Sequence, residues 1–148
     1  MCHMEIKNEQ DIMELMQEFN WFHDSCIKEL KYLSGGYVNE DGSMYASNSI
    51  RSLSIIFQSQ NARARVIELK FDLINKLNLV PSNDKYDCVI YDASLVKIDN
   101  IFYWSDWEDF KIEDINTEDG TWISGQKVSW RILKDCFGEL EIYQTTQK

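Results

Sequence analysis

Signatures that announce an enzyme are missing from this chain. It has no glycine-rich phosphate loop, no GxSxG elbow and no HExxH helix, and its only histidines are His3 and His23. No uncharged apolar run is long enough to cross a bilayer, and Met1-Cys2-His3-Met4-Glu5 lacks the basic start and apolar stretch of a secretory leader. A cytoplasmic location is therefore expected. Cys2, Cys26, Cys88 and Cys136 are scattered, with no CxxC pair, so idle or buried thiols are expected rather than disulfides. Positive charge is scarce: 15 Lys and Arg stand against 25 Asp and Glu, giving a net charge of −10 and a pI near 4.6. Nucleic acid and anionic membrane surfaces would be repelled, whereas a basic protein partner suits this field.

What is present fits one domain over residues 1–148, large enough to bury a core without staples. Ile12, Leu15, Met16 and Phe19 recur at helical spacing. They predict an amphipathic helix over residues 8–19, with Asn8 as its cap and Glu9 and Asp11 near the positive end of the dipole. Leu53, Ile55 and Phe57, then Ile67, Leu69 and Phe71, alternate as strands do, and the polar 59–62 stretch between them predicts a hairpin. Further strands are expected at 26–33, 86–91, 94–98, 101–104, 127–133 and 140–143, where Val, Ile, Tyr and Trp are frequent. Residues 72–79 read equally as a helical turn or as a strand continuing from Phe71. Turns are expected at Ser34-Gly35-Gly36, Asn39-Glu40-Asp41-Gly42, Pro81-Ser82-Asn83-Asp84, Glu118-Asp119-Gly120 and Gly125. The fold class is α+β, mostly β, with the N-terminal helix packed on an antiparallel β-sandwich or curled sheet.

Trp21, Phe22, His23 and Asp24 stand where the helical pattern gives way to strand-like sequence. They read as a structural junction, with Asp24 or Ser25 satisfying free amides and His23 bonding a backbone carbonyl. The competing possibility is a pocket between helix and sheet in which His23 and Asp24, with Glu68 or Cys26, bind a small ligand or act catalytically. An extended chain at 23–26 would point His23 and Cys26 to opposite faces. Cys2, His3, His23 and Cys26 have permissible zinc-ligand types, but no usual ligand spacing. No cofactor or metal is expected.

The second constellation lies between Asp99 and Trp122, where eight acids surround the single Lys111. Tyr103, Trp104, Trp107, Phe110 and Trp122 are interleaved with them. Aromatics beside charge are the types that anchor protein interfaces, which makes Trp104, Asp106, Trp107, Glu108, Asp109, Phe110, Glu113 and Asp114 the candidate partner-binding residues. The alternative is a solvated acidic loop over buried tryptophans. Calcium fits poorly, because the spacing does not follow an EF-hand loop, and nothing selects a glycosidase-like carboxylate pair. Arg51, Arg63 and Arg65 are expected to pair with the chain's own acids.

The helix followed by Trp21-Phe22-His23-Asp24-Ser25-Cys26-Ile27-Lys28-Glu29-Leu30, and the strand Ile67-Glu68-Leu69-Lys70-Phe71, resemble small bacterial proteins with a Trp-x-Phe-His-Asp type opening, among them the immunity protein 50 family of polymorphic toxin systems. The resemblance covers roughly residues 8–105. It implies a β-rich cytosolic protein that neutralises a toxin by binding it, with no established catalytic residues to carry over. Residues and resemblance together lead to the expectation of a non-enzymatic protein that docks a basic partner, such as a toxin domain, through an acidic aromatic surface.

Overall fold

The first helix starts as its sequence dictates. Asn8 is extended and its side chain accepts from the Asp11 amide at 3.0 Å, while the Asp11 carboxylate accepts from the Lys7 amide at 2.8 Å. One orphan amide of the first turn is thereby satisfied, and the residue before the cap is tied to that turn. The helix, α1 (Glu9–Glu18), buries Ile12, Leu15 and Met16 on one face. The computed structural model describes residues 2–116 and 120–146; of the expected turn at Glu118-Asp119-Gly120, the first two residues lie outside them.

The strands are β1 (Met4–Ile6), β2 (Ser25–Leu33), β3 (Tyr37–Val38), β4 (Met44–Tyr45), β5 (Ser52–Ser59), β6 (Val66–Asn78), β7 (Ser94–Ile98), β8 (Ile101–Ser105) and β9 (Trp122–Ile132), followed by a short helix, α2 (Ile142–Thr146). Seven of them form one antiparallel sheet in the order β2-β5-β6-β9-β8-β7, with β1 pairing the second half of β9 beyond the end of β8. The fold is α+β and mostly β. It is a single curled sheet rather than a sandwich, since β3 and β4 pair only with each other.

The curl has local causes. In β6, Leu73 takes a left-handed φ of 55°, and the register against β9 shifts between Ile74 and Lys76. A bulge of this kind bends a strand and increases its twist. Gly125 sits opposite Ile74, where an added Cβ would come within 3.0 Å of the Phe71 ring. The bend brings both sides of the sheet onto one core: Ile27 and Leu30 of β2 and Leu95 of β7 pack on the same cluster as Leu53, Ile55, Phe57, Leu69, Phe71 and Trp130. Helix α1 adds its buried face to this cluster. Between β7 and β8, Asp99 and Asn100 are both left-handed (φ 50° and 65°), the primed two-residue turn that matches strand twist.

Two expected strands take other forms. Residues 140–143 enter α2, where Ile142 packs on Ile56 and Val66 on the reverse face of the sheet, and Glu29 accepts from the Tyr143 amide at 2.8 Å. A single helical turn is enough to cover so small a patch and has its first-turn amide capped. Residues 86–91 run as an irregular loop with one bridge, Ile90 to Ser25, because residues 81–89 are exposed and have no core to face. Residues 72–78 belong to β6. The sequence reading missed β1, β3 and β4, each only two or three residues long.

Candidate functional site

The junction after α1 is built from left-handed backbone. Asn20, Trp21, Phe22 and Asp24 have φ between 52° and 62°, conformations that L residues hold at a cost unless packing enforces them. Packing does so at Phe22. Its ring is fully buried, 4.9 Å from the centroids of Phe19 and Phe57 and 5.7 Å from Trp104, in edge-on contacts. Ser25 Oγ donates to the Phe22 carbonyl at 2.6 Å. Trp21 points outward, 43 % exposed, and its carbonyl accepts from the Ala93 amide.

His23 and Asp24 stitch the 79–93 loop to this junction. The His23 Nδ1 is hydrogen-bonded to the Tyr91 carbonyl, and the Asp24 amide donates to the Ile90 carbonyl at 3.0 Å. The imidazole is half-exposed, with Asp24 at 3.4 Å and Asp92 at 3.9 Å. The Tyr91 carbonyl first, then these two carboxylates, raises its pKa above the ordinary value.

The proposed His23 pocket does not form as the sequence suggested. Glu68 faces the reverse side of the sheet, where its buried carboxylate receives Arg131 Nε at 3.0 Å and is hydrogen-bonded to His3 Nε2. Alternation along β6 explains this, because Ile67 and Leu69 take the helix side and Glu68 must take the other. The same contact holds His3 away from His23, so the four candidate zinc ligands are not brought together. Among the described residues no group of three His, Cys, Asp or Glu side chains converges as metal ligands.

The acidic aromatic segment is divided by the structure into an inner and an outer set. Trp104 is 0 % exposed at the centre of the aromatic cluster, and Phe110 and Trp122 are also buried, so none of these three rings is presented to a partner. The 106–110 loop folds Trp107 and Phe110 back on β8: Phe110 stacks on Tyr103 at 5.4 Å, and the Trp107 carbonyl accepts from Ser94 Oγ and Ser105 Oγ. Gly120 closes over the Trp107 ring at a distance no side chain could tolerate, since a Cβ there would lie 2.5 Å from Cε3. Trp107 is therefore half-buried, with its indole N–H sealed and without a hydrogen-bond partner among the described residues. What remains outside is mostly charge: Glu108, Asp109, Lys111 and Glu113 are exposed, with Ile112 beside them. Asp114 accepts from the Lys111 amide and holds the turn, while burial raises the pKa of the half-buried Asp106. Glu118 and Asp119 lie outside the described residues.

Of the arginines, Arg63 pairs with Glu18 at 3.4 Å as expected, whereas Arg65 lies over the Phe137 ring at 4.9 Å. The Arg51 carbonyl accepts from Ile74 at the bend of β6.

Exposed apolar surface collects elsewhere. Between β2 and β5 the chain leaves the main sheet as the β3–β4 hairpin. Tyr37 (57 % exposed), Val38 (59 %), Met44 (68 %) and Tyr45 (48 %) make up the whole of its two paired segments. Tyr37 and Tyr45 stack on each other at 5.2 Å instead of on a core. Tyr32, Leu33 and Ile50 continue the exposed apolar surface at the hairpin base. Residues 32–50 contain Glu40 and Asp41 at the tip and no Lys or Arg. The sequence held a signal for this element, glycines at 35, 36 and 42 framing two short apolar pairs, but the pairs are too short to register as strands.

A cavity of about 450 Å³ lies between β2 and the 79–91 loop, lined by Ile27, Leu30, Val80, Pro81, Ile90 and Asp106 among others. A neighbouring cavity of about 400 Å³ includes Asp24, Cys26, Arg65, Cys88 and Phe137, but not His23. No described helix is long and apolar enough to cross a membrane. Comparison of the chain with family models, with curated proteins and with solved structures gives no match.

Proposed function

We propose that this chain is a non-catalytic protein-binding protein, of the immunity kind, that captures a basic protein domain through the β3–β4 hairpin. The observation that carries this is the hairpin's composition in space: four large apolar side chains, all exposed, on a two-stranded ribbon whose strands pair, among the described residues, only with each other. An isolated two-stranded hairpin is marginal in water, and alternation turns the stacked Tyr37–Tyr45 pair to one face and the Val38–Met44 pair to the other, so each face carries an exposed apolar pair of the kind that marks contact sites. Stacked tyrosines give rigid, amphipathic anchors of the type that dominates interface energetics. The acids at the hairpin tip and the net charge of −10 select a partner carrying Lys and Arg around an apolar pocket, and attraction at long range would accelerate its capture. The exposed acids Glu108, Asp109 and Glu113 add to that field without supplying anchors.

The test is quantitative retention from a lysate of the source cell. Wild type and a Tyr37→Ser, Val38→Ser, Met44→Ser, Tyr45→Ser chain serve as paired baits, and bound proteins are quantified by mass spectrometry. A basic protein held by wild type, lost from the variant and released by raised salt supports the proposal. Identical retained sets on both baits, or hairpin-dependent self-association as the only event, would overturn it.

A further inference from the structure

The docking hairpin leaves unused the two cysteines that the fold brings together from distant parts of the sequence. Cys26 lies at the start of β2 and Cys88 in the exposed 81–89 stretch, and both line the same 400 Å³ cavity. The backbone of the two segments is held together one residue before Cys26 and two after Cys88: Ile90 donates to the Ser25 carbonyl at 2.7 Å, and Asp24 donates to the Ile90 carbonyl at 3.0 Å. Burial first, then the neighbouring Cys88, pushes the Cys26 thiol above its ordinary pKa. Cys2 is exposed near β1, and Cys136 bonds the Lys134 carbonyl and packs with Ile56, Val66 and Ile142 on the reverse face.

We propose that Cys26 and Cys88 form an oxidation site in which a hydroperoxide converts the thiol pair to an intramolecular disulfide that pins the 79–92 loop to β2. The exposed Cys88 meets the oxidant first. Its thiolate sulfur takes the terminal peroxide oxygen, the O–O bond breaks, and water or an alcohol leaves, giving a sulfenic acid. The Cys26 sulfur then attacks the sulfenic sulfur. The S–O bond breaks, the hydroxyl departs as water with the Cys26 proton, and the S–S bond forms. The peroxide is reduced by two electrons and the thiol pair is oxidised by two. Burial and the neighbouring thiol keep the Cys26 pKa above its ordinary value, which suits the resolving partner rather than the first to react. The consequence is mechanical. Residues 81–89 are exposed in the reduced chain, and the bridge would anchor the stretch near its end and close the roof of the adjoining cavity, which Cys88 also lines.

Trypsin places the four cysteines on four different peptides, with Cys26 in 8–28 and Cys88 in 86–97. The whole chain is treated with stoichiometric hydrogen peroxide. The expected result is a monomer lighter by about 2 Da, as loss of two thiol hydrogens requires, with peptides 8–28 and 86–97 joined until a dithiol is added. Tryptic cleavage after Lys85 should be slower in the oxidised chain. Cys26→Ser should leave Cys88 as a sulfenic acid trapped by a diketone reagent, with no internal link. A bridge between any other pair, an intermolecular link, sulfinic acid without a bridge, or unchanged cleavage at Lys85 would overturn the proposal.

Discussion

Replacing Trp104 should damage the fold rather than a binding surface, and the damage should depend sharply on what replaces it. The indole is fully buried between Phe22 and Phe57, with centroids at 5.7 and 5.3 Å. Trp104→Ala deletes the largest fully buried side chain, and such truncations cost about 3–5 kcal/mol through lost transfer and a residual cavity. Against a domain stability of about 5–15 kcal/mol, that is enough to bring the chain close to unfolding. Trp104→Phe is different, because the indole Nε1–H is buried without a hydrogen-bond partner among the described residues. An unsatisfied buried donor costs about 1–3 kcal/mol. The smaller ring gives up roughly 50 Å² of apolar burial, about 1.3 kcal/mol at 25 cal/mol per Å². The two effects nearly cancel, so Trp104→Phe should fall within about 1 kcal/mol of wild type. Urea unfolding followed by far-ultraviolet circular dichroism measures both variants, with the slope checked for constancy. Equal losses in the two, or an unchanged midpoint in Trp104→Ala, would refute the central placement of this ring.

Glu68→Ala should cost about 2–4 kcal/mol in the same assay, because it strands Arg131 without its buried counter-charge; an Arg131→Met background should shrink that cost, and a cycle with no coupling would contradict the pairing. His23 should make stability pH-dependent: the native imidazole holds its proton more tightly than the unfolded chain. Its contribution is therefore complete below the ordinary pKa of 6.5 and is lost as pH rises through the raised native value. The stability difference between wild type and His23→Gln should be larger at acid than at alkaline pH, and a flat or inverted difference would contradict the Tyr91 contact. Gly120→Ala should destabilise by about 1–3 kcal/mol, because its methyl meets the Trp107 ring; a neutral result would show that the loop lies elsewhere.

How far the chain could be read from its residues depended on the length of each pattern. The helix was legible because four apolar residues and an Asn cap agreed, and β5 and β6 because alternation ran for three pairs each. The Asp99–Trp122 segment was not. Acids and aromatics interleaved in a loop do not reveal which way the rings turn, and the decision fell to Tyr103 and Gly120, which offer Trp107 and Phe110 an inner surface. The face that Glu68 takes was legible in the alternation of Ile67, Leu69 and Phe71, but its partners were not: only pairing with β9 and β1 sets Arg131 and His3 beside it. The hairpin escaped because two-residue strands carry almost no periodic signal. The nearness of Cys26 and Cys88 depends on contacts across 64 intervening residues, the Ser25–Ile90 bridge with the His23–Tyr91 and Trp21–Ala93 hydrogen bonds beside it, which no local pattern encodes.

The most direct measurement is the affinity of the retained basic protein for three purified chains, followed by surface-bound kinetics at two salt concentrations. These are wild type, the four-serine hairpin variant, and a chain with Glu108, Asp109 and Glu113 reversed to lysine. Loss of two tyrosine anchors should weaken binding by at least about thirtyfold, mainly through faster dissociation, while charge reversal should chiefly slow association and reduce its salt dependence. Hairpin and wild-type chains that bind alike, with the charge-reversed chain alone losing its grip, would contradict docking through Tyr37 and Tyr45.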